Sequence, residues 1–224
     1  MNIALFGTSA DPPTTGHKAI LRWLVDHFDY VAVWAADNPF KSHQASLFHR
    51  SAMLQLVVEE LSCQRAAEAP VTPTPQALRS TTPTIAVHNE LSNPRTVITV
   101  QQARAIWTTA QFTLVVGSDL VRQMPRWYRI KELLEQVELL VVPRPSYPLE
   151  EADLQTLRQI GAIITVANLI PPEISSSAYR QWGITEAITA PVDTYIHHHH
   201  LYQHAWQDAA AKPFPATMNH HQPH

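Results

Sequence analysis

The sequence predicts an α/β fold built on a doubly wound parallel sheet. Short apolar runs alternate with amphipathic stretches along most of the chain. The runs are apolar at nearly every position, as strands are when helices cover both faces. Residue types suited to chemistry fall just after the runs, where such sheets bind ligands.

The runs lie at residues 3–6, 30–35, 84–88, 113–116, 138–142 and 162–166. Helical patterns lie between them at 17–27, 47–61, 100–110, 127–136 and 149–160. A strand–helix–strand order returns each strand through a crossover, which makes the sheet parallel. Residues 63–83 carry four prolines and little periodicity, and read as an exposed, partly disordered insertion. From residue 203 the apolar period is lost, so residues 1–202 read as one domain and 203–224 as a flexible, histidine-rich tail.

Composition narrows the function classes. The 224 residues are 45% hydrophobic, enough for a full core, and 16% charged with a net charge of -3. The 16 Lys and Arg are scattered rather than gathered into a stripe, which gives no electrostatic case for a nucleic-acid polymer. The single cysteine, Cys63, excludes an intramolecular disulfide and fits a reducing compartment. The chain opens on an apolar run with no basic stretch before it, and no apolar run is long enough for a membrane span. A soluble, cytoplasmic protein is the expectation.

After the first run comes Gly7-Thr8-Ser9-Ala10-Asp11-Pro12-Pro13-Thr14-Thr15-Gly16-His17. Gly7 reads as permitting a tight turn, and Gly16 as letting the backbone approach a ligand. Thr15-Gly16-His17 opens a helix whose N–H groups suit phosphate, with the Thr14 hydroxyl and His17 ring beside them. On these residues alone, Thr14 as a plain helix cap and His17 as a packing residue fit equally well. A second element, Ile174-Ser175-Ser176-Ser177-Ala178-Tyr179-Arg180, follows the last run. Its serines favour a helix start, and with Arg180 one turn on they form a second candidate anion cradle. The histidines 197–200 read as a solvated face of a closing helix. His200 and His204, four residues apart, offer a weak metal spacing without a Cys or acidic partner, so no metal site is assigned.

Together the two elements resemble the HxGH/TxGH nucleotidyltransferases, and within them the bacterial nicotinate-nucleotide adenylyltransferases, over residues 2–202. Asn38-Pro39-Phe40-Lys41 is similar to an N-P-x-K loop, and Arg50-Ser51-Ala52-Met53-Leu54 to an R-x-x-M-L helix. Gly117-Ser118-Asp119 resembles G-x-D, and Trp127 with Arg129-Ile130 resembles W-x-R-I. Val142-Pro143-Arg144-Pro145 is similar to V-x-x-R-P, and the stretch from Val192 to Tyr202 to the closing V-x-x-Y-I…L-Y helix. The chain departs at Thr8, Ala10 and Thr14, which stand where the family has Gly, Phe and His. It also has Arg95 and Ile98 in place of Tyr and Asp in a segment otherwise similar to S-Y-T-x-D-T-L.

The resemblance implies a Rossmann-like fold and transfer of AMP from ATP to nicotinate mononucleotide, giving deamido-NAD and pyrophosphate in NAD biosynthesis. It implies that Gly7, Thr14, Gly16, His17, Gly117, Asp119, Ser176, Ser177 and Arg180 bind ATP. His17, Lys41 and Arg180 would be catalytic, and Lys41, Thr96, Thr99 and Trp127 would bind the pyridine nucleotide. Mg²⁺ would arrive with ATP rather than in a protein cage. Nicotinamide mononucleotide as the substrate, and a non-catalytic nucleotide-binding relative, both remain open, as does oligomeric state.

Overall fold

The structure, a computed structural model, describes residues 1–38, 44–68, 84–172 and 174–202. Six parallel strands form one sheet in the order β3-β2-β1-β4-β5-β6. They are β1 (Asn2–Thr8), β2 (Tyr30–Ala35), β3 (Ile85–Val87), β4 (Gln111–Gly117), β5 (Glu138–Val142) and β6 (Ile164–Val166).

Side chains alternate across the strands, and helices cover both faces of the sheet except at β6, where Thr165 and Val166 are exposed. Ala4, Phe6, Val31, Val33 and Leu140 pack on one side against α1 (Thr15–His27), α2 (Leu47–Glu68) and α8 (Ala190–His198). Ile3, Leu5, Ala32, Trp34 and Leu139 pack on the other against α3 (Thr96–Ile106), α5 (Ile130–Leu134) and α6 (Glu151–Gln159). Two buried faces explain the unbroken apolar runs, and each fully buried Leu or Val stabilises the fold by about 1.5–3 kcal/mol. Two short helices, α4 (Ser118–Val121) and α7 (Ser176–Trp182), begin close after β4 and in the connection following β6.

The sheet order reverses between β1 and β4. Their ladder ends at the Leu5–Leu114 pair, so the last residues of both strands part from each other. The crevice of a doubly wound sheet forms at such a point.

Element existence matches the expectation, and ends differ. Helix α2 runs past Cys63 to Glu68, so the first six residues of the expected insertion are helical; Arg65 and Glu68 pair with Asp26 and Arg22 of α1. Residues 69–83 lie outside the described residues. The helix expected over 127–136 is a 3-10 turn (Met124–Arg126), then Trp127, then Arg129 in the left-handed region at φ 54, then the five-residue α5. Helix α8 stops at His198, and His200 has φ 52, so the four consecutive histidines do not share a helix. His204 lies outside the described residues. Among the described residues no helix is long and apolar enough to cross a membrane.

Candidate active site

A cleft of about 1410 Å³ opens at the switch point, lined from the loop after β1, the residues after β4, the start of α3 and the start of α7. It brings together Gly7, Thr14, Gly16, His17, Thr96, Thr99, Gly117, Asp119, Trp127, Ser176, Ser177 and Arg180, all expected from sequence. Lys41 lies outside the described residues.

Thr14 is the N-cap of α1 and His17 its third residue, joined in a reciprocal capping box. The Thr14 N–H donates to His17 Nδ1 at 3.0 Å, and Thr14 Oγ1 lies 2.8 Å from the same nitrogen. A backbone N–H can only donate, so Nδ1 is the acceptor and the neutral ring carries its proton on Nε2. The N–H groups of Thr15 and Gly16 have no acceptor among the described residues. They are the helix-start donors that an anion would take. A Cβ on Gly16 would lie 3.3 Å from Pro172 O and 3.7 Å from Ile174 O, so glycine lets the chain leading into α7 close onto α1.

The α7 side is tied to the first loop. Ser175 caps α7 by accepting from the Ala178 N–H at 3.0 Å. The Ser176 hydroxyl donates to Pro12 O at 2.8 Å, and Arg180 donates to Asp11 O and, at 3.2 Å, to Ser177 Oγ. Arg180 has five N–H donors in a fixed fork, so these bonds leave others for a phosphate. Ser176, by contrast, holds its hydroxyl proton on the protein itself.

The centre of this wall is Asp11, 2% exposed, which sequence reading gave no role. Its carboxylate accepts from the Gln44 N–H at 3.0 Å, the Ala45 N–H at 3.1 Å and the Tyr202 hydroxyl at 2.7 Å. Arg180 lies 3.7 Å from it. Burial, then Asp11, pushes the Tyr202 phenol up, so it stays protonated and donates. Arg50, also 2% exposed, donates to Ser9 O and Ala36 O at 2.8 Å each and holds the neighbourhood of Ala10 at φ 48. Burial lowers its guanidinium, partly offset by Asp11 and Asp37. Its spacing to Met53, Leu54 and Val57 puts a charge on an apolar helix stripe, and that was the signal available in sequence.

Gly7 has a different role from the turn expected of it. It sits inside β1, and a Cβ there would lie 2.7 Å from the Trp34 ring, so glycine makes room for an indole in the cleft wall.

Across the crevice, Asp119 follows β4. Its Oδ1 is buried, 3.2 Å from Arg144 Nε, without a hydrogen bond aligned to it. A Cβ on Gly117 would collide with Asp119 Oδ1 and lie 2.9 Å from Arg144 Nε, which is why this position is glycine. Ser118, between them, accepts from the Arg144 N–H at 2.9 Å and donates to Tyr147 O at 2.7 Å, fixing the turn at the cleft edge. Trp127 is half-buried, packed on the core of its face and open to the cleft. Thr96 begins α3 at the cleft. Thr99 is 1% exposed and donates its hydroxyl to Leu91 O at 3.0 Å, which anchors α3.

A helix-start anion cradle at the switch point of a parallel sheet, facing a carboxylate across the crevice, defines a nucleotide-binding α/β protein. The chain belongs to the cytidylyltransferase-like family, whose profile matches residues 5–182, and within it to the nicotinate-nucleotide adenylyltransferases. It is 44% identical over 216 residues to a probable nicotinate-nucleotide adenylyltransferase of Synechocystis sp., covering 91% of this chain and 100% of that protein. A second of that description, from Albidiferax ferrireducens, is 25% identical over 214 residues, covering 91% and 98%. The fold is similar to that of Plasmodium falciparum nicotinic acid mononucleotide adenylyltransferase complexed with NaAD, with a TM-score of 0.68 at 18% identity over 90% of this chain and 97% of that one.

Proposed function

We propose that this protein transfers an adenylyl group from ATP to nicotinate mononucleotide in NAD biosynthesis, in the cytoplasm. The observation that carries the reading is the two-walled cleft: an anion cradle on one side, and a carboxylate and an aromatic face on the other. Its volume of about 1410 Å³ exceeds the roughly 300–1,000 Å³ of a single small-molecule site, as two nucleotides require. The 44% identity to a relative of that description supports the same reading.

In the reaction, an oxygen of the mononucleotide 5′-phosphate attacks the α-phosphorus of ATP. The new P–O bond forms as the bond to the β-phosphate breaks, and pyrophosphate leaves with the electron pair. The products are deamido-NAD and pyrophosphate. No protein nucleophile is needed, so catalysis consists of alignment and charge stabilisation. His17 Nε2–H, with the N–H groups of Thr15 and Gly16, donates to ATP phosphate oxygens. Arg180 and the Ser177 hydroxyl, with the Ser176 backbone N–H rather than its hydroxyl, hold the phosphates on which leaving-group charge develops. Lys41 would bridge the reacting phosphates. The Asp119 carboxylate accepts from the ribose hydroxyls of adenosine, and Trp127 stacks on the pyridine ring beside Thr96. Thr99 supports that end by fixing α3. Thr14, His17 and Arg180 line this wall, and the Asp11 carboxylate beside them is taken up by protein donors, so Mg²⁺ would be held chiefly by the phosphate oxygens of ATP.

The test is pyrophosphate release with ATP, Mg²⁺ and each pyridine mononucleotide in turn. Release with nicotinate mononucleotide is expected. Release only with the nicotinamide form would move the substrate assignment, and release with neither would overturn the activity.

A further inference from the structure

Resting on that reading, we propose that Arg95, held against Tyr128 at the cleft wall, is the cation that distinguishes a pyridine carboxylate from a carboxamide. Arg95 is the N-cap residue of α3, fixed locally by its own N–H donating to Asn93 Oδ1 at 2.9 Å. Its guanidinium carbon sits 4.2 Å from the centre of the Tyr128 ring. Both side chains line the cleft beside Trp127.

Arg122, Arg144, Arg158 and Arg180 each have a carboxylate oxygen within 4.0 Å. Among the cleft arginines, Arg95 and Arg126 lack a carboxylate partner within the described residues, and Arg95 is the one stacked on a ring. An arginine stacked on an aromatic keeps its in-plane N–H edge available, and that edge matches a carboxylate with two parallel bonds. A neutral carboxamide offers one acceptor oxygen and no charge, and charge-assisted bonds are roughly twice as strong. The cation therefore favours the acid over the amide without touching the phosphates that both nucleotides share. In the sequence this position departs from the related pattern, an arginine where that pattern has tyrosine, and Tyr128 supplies an aromatic ring opposite.

The test measures KM for each mononucleotide in Arg95→Ala, Arg95→Lys and Tyr128→Phe. Arg95→Ala raises KM for nicotinate mononucleotide about tenfold or more, leaves KM for the nicotinamide form within about twofold, and acts on KM rather than kcat. Arg95→Lys keeps the charge but not the fork and falls between, while Tyr128→Phe keeps the ring face and the preference. An equal rise for both nucleotides would mean Arg95 reads the shared phosphate and would overturn the proposal, as would no change. Calorimetric binding of the two mononucleotides reads the same preference without turnover. A wild-type protein with no turnover that prefers the acid, and loses the preference in Arg95→Ala, supports the inference while the activity fails. Equal binding of both by the wild type overturns it.

Discussion

The two walls of the cleft are built in opposite ways. On the α1–α7 wall, one carboxylate, Asp11, gathers two backbone N–H groups, a phenol and a guanidinium from segments far apart in the chain, and the capping box sets the His17 tautomer. On the facing wall, Asp119 keeps a buried oxygen outside any aligned hydrogen bond, and Trp127 and Tyr128 follow a 3-10 turn and precede a residue at positive φ. The first wall has its donors assembled before a ligand arrives, as electrostatic stabilisation of developing charge requires. The second leaves groups whose partners must come from the ligands. On the proposed function, stability and rate would be concentrated on one side, and affinity and selectivity on the other.

Removing each carboxylate tests this contrast most strongly. Asp11→Ala strands buried donors and the Arg180 charge, and should lower unfolding free energy by about 3–5 kcal/mol in urea titration. Asp119→Ala should change stability by less than about 1 kcal/mol, because Arg144 is 45% exposed and can be solvated, and should instead raise KM for ATP. Equal destabilisation by both would erase the distinction between the walls. Next in size is Gly117→Ala. Its Cβ meets the ends of the Asp119 and Arg144 side chains, which can shift, so a cost of no more than about 1 kcal/mol is expected, together with weaker ATP binding measured by calorimetry. An alanine variant with wild-type affinity would show that Asp119 shifts without loss of ATP binding.

The smallest effect lies outside the cleft, where α8 meets α2. His199 is exposed but lies tilted against the Tyr195 ring and near His49, and desolvation by these neighbours, then the charges of His198, His49 and His200, lowers its affinity for a proton. The unfolded chain then protonates first, near the ordinary value of 6.5, so stability falls as pH drops below it until the folded-state value is passed. His199→Gln should shrink the fall in Tm between pH 7.5 and 5.5 slightly; an unchanged difference would remove this residue from the acid response.

How much was legible in sequence follows the same division. Strands β2 and β5 were read with their observed limits, because burial on both faces writes an unbroken apolar run. The starts of α1 and α7 were readable because helix starts have local chemistry: a capping threonine, a glycine, a run of serines. Asp11 was not, since its partners lie 33, 34 and 191 residues away and no local pattern encodes them. The Trp127 segment was misread as helix because its composition is helical, while Arg129 takes a left-handed conformation that periodicity cannot reveal. The end of α2 was hidden by neighbouring prolines, although Arg65 and Glu68 find partners on α1.

The central claim is that the assembled wall supplies the rate, through a His17 ring oriented by Thr14. Steady-state kinetics of His17→Ala, with folding verified by circular dichroism, tests it most directly. Loss of one pre-oriented donor to developing phosphate charge should lower kcat by about 10²–10³-fold, with Tm lowered by only a few degrees through the lost capping bond. A folded His17→Ala protein that turns over at the wild-type rate would contradict the account.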